Sequence, residues 1–304
     1  MKNTLLVIDG PTAAGKTDLA YQWAIELNCP ILSADSRQLF CDVNIGTCKP
    51  SNEMLQSVKH YFINHIPIDG TYSVGHYEQE VHVLLSELFK QHPVLILCGG
   101  TGLYIKAILK GIDQIPLSST EVKLQSQTLF DEKGIEACRN MLAEVDPEYY
   151  ATVDLNNSRR ILRALEVYFE SGKPFSSFLN KPNIPKPFDI KEICLIPERS
   201  LLYQRIENRV DQMIDAGLFD EAKSLEQYRS CQALNTVGYR ETYEYLDGRI
   251  TKDRCIELIK QNSRNYAKRQ ITWFRKELSG IQINSTDPIT LKNIKTQLSE
   301  LFSR

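Results

Sequence analysis

Residues 10–17 read Gly-Pro-Thr-Ala-Ala-Gly-Lys-Thr and follow directly on the apolar run Leu5-Leu6-Val7-Ile8. The pattern is G-x-x-x-x-G-K-[ST], set between a strand and the start of a helix. Backbone N–H groups of such a loop converge on phosphate oxygens, and the positive end of the following helix points at them. The chemistry is the gripping of a diphosphate or triphosphate by Gly10, Pro11, Thr12, Ala13, Ala14, Gly15, Lys16 and Thr17. Lys16 adds a point charge, and the Thr17 hydroxyl is placed to hold Mg²⁺. ATP is only the default ligand of such a loop, since the pattern does not say whose phosphate is held.

Three further features belong to the same crevice. Asp35 follows a second apolar run, and ligands of open α/β sheets bind at the carboxyl ends of strands. A carboxylate there can orient an attacking group or take its proton, or it can simply cap the next turn. A third apolar run ends in Cys98-Gly99-Gly100-Thr101-Gly102, where many ATP-hydrolysing relatives of this loop place an Asp for Mg²⁺. Its glycines instead allow a close approach of ligand or backbone. Arg205 and Arg209 lie one helical turn apart. Over the crevice they would neutralise a departing phosphate; on a solvated face they would pair with Glu207 or Asp211.

The elements that must position these groups alternate apolar runs with helical patterns, the signature of an α/β fold with a parallel sheet. Strands are expected at 4–9, 30–34, 94–98 and 191–196, and helices at 15–28, 74–91 and 102–110. The stretch from 114 to about 180 is purely helical in pattern (120–132, 134–143, 158–171). Residues 181–187, Lys-Pro-Asn-Ile-Pro-Lys-Pro, suit a stiff connector back to the sheet. The expected organisation is a P-loop core over 1–113, a helical insertion over 114–187, and core continuation with C-terminal helices over 188–304. Residues 251–279 lack Gly and Pro and predict one long helix.

Composition excludes several classes. The 304 residues carry 42% apolar and 24% charged side chains, ordinary for a soluble globular protein. No apolar run approaches a membrane span, and no signal-peptide pattern opens the chain. Eight scattered cysteines without a C-x-x-C pair argue against a zinc site or disulfide framework and suit a cytoplasmic protein. A net charge of −2 does not advertise nucleic-acid binding, yet local basic clusters exist. Arg159, Arg160 and Arg163 share one helix. Arg264, Lys268, Arg269, Arg275 and Lys276 interleave with Tyr266, Trp273 and Phe274 on another. On composition alone a solvated face beside core aromatics explains both.

Seven ordered motifs go further: GPTAAGKT (10–17), SADSRQ (33–38), IGTCKP (45–50), GGTGLY (99–104), RRILRALEVY (159–168), TVGYRE (236–241) and AKRQITWFR (267–275). Over about residues 4–280 the chain closely resembles the tRNA dimethylallyltransferases of bacterial type. The resemblance implies that the loop holds the diphosphate of dimethylallyl diphosphate and that Mg²⁺ is the cofactor. The acceptor it implies is N6 of adenosine 37 in the anticodon stem-loop of tRNAs reading codons that begin with U. It assigns Asp35 as general base, with Thr12, Lys16 and Arg209 as catalytic contacts to the diphosphate and Thr17 as the metal contact. Asp35, Ser36, Arg37, Gln38, Thr101, Arg159, Arg160, Arg163, Gly238, Tyr239, Arg240, Lys268, Arg269 and Gln270 match regions that touch tRNA. A monomer with no membrane partner is expected. Gly75-His76-Tyr77 stands where the family often has Ala-x-Phe, a departure that falls on local packing. The rivals are a P-loop small-molecule kinase, an isopentenyltransferase acting on free adenine nucleotides, and a non-catalytic RNA-binding ATPase.

Overall fold

The computed structural model describes residues 2–179, 186–278, 280–284 and 288–302. It divides into two compact units, one of Met1–Lys110 with Pro185–Arg304 and one of Gly111–Ile184. The 181–187 connector expected from sequence lies mostly outside the described residues.

The first unit is built on a six-stranded, all-parallel sheet in the order β3-β2-β4-β1-β5-β6. The strands are β1 (Thr4–Asp9), β2 (Ile31–Ser33), β3 (His60–Tyr61), β4 (Val94–Gly99), β5 (Asp189–Leu195) and β6 (Ile281–Ile283). Helices α1 (Lys16–Leu27), α2 (Asn52–Ser57), α3 (Val74–Leu88) and α4 (Gly102–Lys110) alternate with them. The second unit holds α5 (Thr120–Val145), α6 (Pro147–Tyr150) and α7 (Ser158–Ser171). Back in the first unit follow α8 (Arg199–Asp215), α9 (Leu218–Ser224), α10 (Tyr239–Leu246), α11 (Lys252–Glu277), α12 (Pro288–Gln297) and α13 (Ser299–Phe302). No helix among the described residues is long and apolar enough to cross a membrane.

Both faces of the sheet are covered, so its strands are continuous apolar runs rather than alternating ones. Along β1, Leu5 and Val7 enter one core with Leu95, Leu97, Tyr77 and Ile105, while Leu6 and Ile8 enter the other with Trp23, Ile96 and Ile193. Tyr77 is fully buried and stacks on Tyr104 at 4.2 Å. Its hydroxyl donates to the Ser33 carbonyl at 2.9 Å, which satisfies this buried polar group at the end of β2.

In the second unit α7 begins at Asn157, whose side chain accepts from the Arg160 N–H, and ends at Gly172 with φ 68°. Its apolar face, Ile161, Ala164, Leu165 and Val167, packs with Cys138, Leu142 and Phe175. The two helices expected at 120–132 and 134–143 form α5, broken where Gly134 takes φ 74°.

Candidate active site

The phosphate loop emerges from the centre of the sheet. Gly10 (φ 138°) could not carry a side chain, because a Cβ there would lie 2.3 Å from the Leu195 carbonyl oxygen at the end of β5. Ala13 (φ 60°) and Gly15 (φ 89°) take left-handed backbone that turns the loop into α1. Helix α1 starts at Lys16, so the N–H groups of Lys16 and Thr17 have no carbonyl one turn back and face the loop. The Lys16 ammonium folds onto the Pro11 carbonyl at 2.7 Å. Burial pulls its pKa below the ordinary value; Arg209 acts the same way, while Cys98, Asp35 and Asp9 oppose. A bound anion would relieve that penalty.

Helix α8 closes the other side. Arg209 donates through Nη1 to the Thr12 hydroxyl at 3.1 Å. Arg205 lies over the loop, 3.9 Å from where a Cβ on Gly15 would stand. The acids that might have paired with these arginines are engaged by α11: Glu207 by Arg264 at 2.6 Å, Asp211 by Lys260 at 2.6 Å. Of the two readings open for Arg205 and Arg209, the geometry therefore favours the anion-binding one.

Asp35 stands just past β2. Its Oδ1 accepts the Arg37 N–H at 2.9 Å, so the carboxylate does cap its turn. The other oxygen, Oδ2, accepts no hydrogen bond among the described residues. The turn is fastened to β4: the Ser36 N–H donates to Thr101 Oγ1 and the Thr101 N–H to the Ala34 carbonyl, at 2.9 and 3.0 Å. A Cβ on Gly99 would lie 2.2 Å from the Ala34 carbonyl oxygen, so a side chain at the strand end could not coexist with this tie.

The loop of residues 43–48 is held by a group that sequence reasoning missed. Glu221 of α9 accepts the N–H groups of Asn44, Ile45 and Gly46 at 2.9, 2.8 and 3.0 Å, and also the Tyr239 hydroxyl. The Gln38 carboxamide donates to the Thr47 and Cys48 carbonyls of this loop at 3.2 and 3.1 Å. No local pattern marks Glu221, because the three backbone N–H groups it accepts lie about 175 residues away in sequence.

A family model described as IPP transferase matches residues 38–277. The chain belongs to the IPP transferase family. Among curated relatives, a tRNA dimethylallyltransferase of Cytophaga hutchinsonii is 45% identical over 273 residues, 90% of each chain. Among solved structures, the full-length tRNA isopentenylpyrophosphate transferase of Bacillus halodurans is 33% identical with a TM-score of 0.71, covering 99% of this chain and 97% of its own. A eukaryotic dimethylallyltransferase described as acting on tRNA is 25% identical with a TM-score of 0.79, covering 98% of this chain and 77% of its own.

In this IPP transferase chain the residues expected at tRNA fall into two groups. Arg159, Arg160, Arg240, Lys268 and Arg269 are exposed. Arg269 lies over the ring of the exposed Tyr266, 5.8 Å from its centroid. Other side chains are engaged inside the protein. Arg163 donates to the Pro116 carbonyl at 2.7 Å, to Ser118 and to Glu166. Arg37 donates to the Gln232 carbonyl. Tyr239 is fully buried beneath Gly46, Gly238 is a buried turn with φ 100°, and Gln270 is 8% exposed. Trp273 packs against Gly102, where a Cβ would lie 2.2 Å from the indole.

Proposed function

We infer that this chain transfers a dimethylallyl group from dimethylallyl diphosphate to N6 of adenosine 37 in tRNAs that read codons beginning with U, releasing diphosphate. The observation that carries this reading is the pairing of an arginine-capped phosphate loop after β1 with a carboxylate at the end of β2, one strand away across β4. Arg209 sits on Thr12, and Asp35 Oδ2 accepts no hydrogen bond among the described residues.

The amino lone pair of adenine is delocalised into the ring, so N6 is a weak nucleophile. Breaking of the allylic C–O bond must therefore lead, with positive charge growing on the allyl carbon and negative charge on the leaving diphosphate. Loop N–H groups, Lys16, Arg205 and Arg209 stabilise that diphosphate, which is the largest electrostatic contribution available here. As N6 bonds to the allyl carbon, Asp35 Oδ2 orients the amino group and takes its proton. The base must leave its stack to arrive there. The exposed cations on α7, α10 and α11 suit the phosphates of the anticodon stem-loop.

The donor chemistry fits Mg²⁺. Among the described residues no cluster of three or more His, Cys, Asp or Glu could form an all-protein cage. Mg²⁺ ordinarily shares substrate phosphate oxygens with one or two protein oxygens, and the Thr17 hydroxyl at the first turn of α1 is such a donor. When bound, the ion would neutralise charge on the leaving diphosphate.

Unmodified tRNA incubated with the protein, Mg²⁺ and either dimethylallyl diphosphate or ATP tests the reading by mass spectrometry. A five-carbon gain on one adenosine is expected with the first, and neither RNA phosphorylation nor phosphate release with the second. Brisk ATP turnover without prenyl transfer would promote the kinase rival. Transfer to free adenine nucleotides but not to tRNA would promote the other transferase.

A further inference from the structure

Gln270 lies in the basic stretch of α11, flanked by Lys268, Arg269 and Trp273, where its motif points toward RNA. Its side chain is turned the other way. Oε1 accepts the Thr12 N–H of the phosphate loop at 2.9 Å, and Nε2 donates to the Gly100 carbonyl of the β4–α4 loop at 2.8 Å. One buried carboxamide thus joins two loops that lie about 90 residues apart in sequence. The fit leaves no slack. A Cβ on Gly100 would lie 2.8 Å from Gln270 Nε2 and 3.6 Å from Lys16 Nζ. Thr12 is held from two directions, its N–H by Gln270 and its hydroxyl by Arg209. One turn along α11, Trp273 seats on Gly102, the first residue of α4 directly after that loop.

We propose that Gln270 is a positioning residue that sets Thr12 in the phosphate loop and ties RNA docking on α11 to the grip on diphosphate. This deepens the proposed function and rests on it. The geometry makes the link physical. Lys268 and Arg269 are exposed on the helix whose buried side carries the carboxamide. A shift of α11 when RNA binds therefore moves the acceptor that fixes the Thr12 N–H. Binding energies of the two ligands are then coupled, and the coupling must be reciprocal. An amide meets both demands at once, with its acceptor oxygen toward the Thr12 N–H and its donor nitrogen toward the Gly100 carbonyl. A carboxylate at 270 would accept from Thr12 but face the Gly100 carbonyl with an unprotonated oxygen.

The test uses the full chain, with inorganic pyrophosphate and an anticodon stem-loop RNA as probes. Calorimetry measures pyrophosphate affinity with and without saturating RNA. It is run on the wild type, Gln270→Ala, Gln270→Glu and Gln270→Met, the last keeping volume while losing both hydrogen bonds. The wild type should show an RNA-dependent change of about fivefold or more, the scale of ordinary coupling. All three variants should reduce it to within about twofold of none. In prenyl transfer the variants should lose kcat by about tenfold or more while KM for tRNA moves less than about threefold. Variants that keep the wild-type coupling and kcat would overturn the proposal. So would a raised KM for tRNA with kcat unchanged, which would make Gln270 an RNA contact. So would a wild type in which RNA does not alter pyrophosphate affinity. A wild type that couples the two probes but transfers no prenyl group would sink the functional reading instead. Variants are compared only where circular dichroism matches the wild type; Gln270→Met, conservative in volume, serves where Gln270→Ala does not fold.

Discussion

Arg209 and Thr12, 197 positions apart in sequence, meet at 3.1 Å through Nη1 and Oγ1, and this contact closes the phosphate loop from above. Their roles at the leaving diphosphate should therefore be interdependent. Arg209→Ala is expected to lower kcat by about 10²-fold. Thr12→Val should lower it by roughly tenfold, through the lost hydroxyl that holds the guanidinium. The double variant should be little worse than Arg209→Ala alone, since residues acting as a unit are not additive. Effects that multiply independently in single-turnover kinetics would show that the two groups act apart.

Asp9, at the end of β1 and immediately before the loop, introduces a pH dependence of stability. Its carboxyl is fully buried. Burial pushes its pKa up to about 7; the Cys194 thiol lowers it, Glu192 raises it, and Lys16 lowers it. The folded-state value thus exceeds the unfolded value of about 4, so the native state holds the proton more tightly. Stability is present below about pH 4 and is lost as pH rises from about 4 to 7. Asp9→Asn removes this slope. Urea unfolding at pH 5 and pH 8 should show the variant gaining on the wild type at the higher pH. An equal difference at both values would mean that Asp9 does not titrate as described.

The exposed cations should act through counterions. Arg160→Ala and Lys268→Ala are each expected to weaken tRNA binding and to flatten its dependence on log salt by about one. Arg163→Ala is expected to leave that slope unchanged and to lower the melting temperature, because its guanidinium holds the 116–118 segment. Fluorescence titrations across a salt series distinguish the two behaviours. Wild-type slopes for both Arg160→Ala and Lys268→Ala would leave these residues a solvated surface.

Much of this arrangement is legible in the chain because it is written locally. The apolar runs at 4–9 and 94–98 become β1 and β4 almost residue for residue, since both faces of each strand are buried. Helix α7 spans 158–171 as its Asn157 cap and Gly172 stop require. Two strands escape such reading. β3 is two residues long, and β6 is three, too short for any period to register. At the site, the loop and Asp35 are marked by type and spacing. The inward-facing roles of Gln270, Tyr239 and Glu221 are not, because each depends on which side of a helix meets a distant loop. Arg205 and Arg209 stay ambiguous for the same reason until Arg264 and Lys260 are seen to engage the neighbouring acids.

In the proposed reaction Asp35 and the phosphate loop form one centre, with Asp35 taking the N6 proton as the diphosphate leaves. The most direct measurement is rapid-quench single-turnover transfer by Asp35→Asn, with tRNA and dimethylallyl diphosphate both saturating. The substitution keeps the acceptor that caps the Arg37 N–H and removes the base. The rate should fall by about 10²-fold or more, within the range of general-base contributions, while pyrophosphate and tRNA affinities stay within about threefold of wild type. A near-wild-type rate in Asp35→Asn would contradict the account.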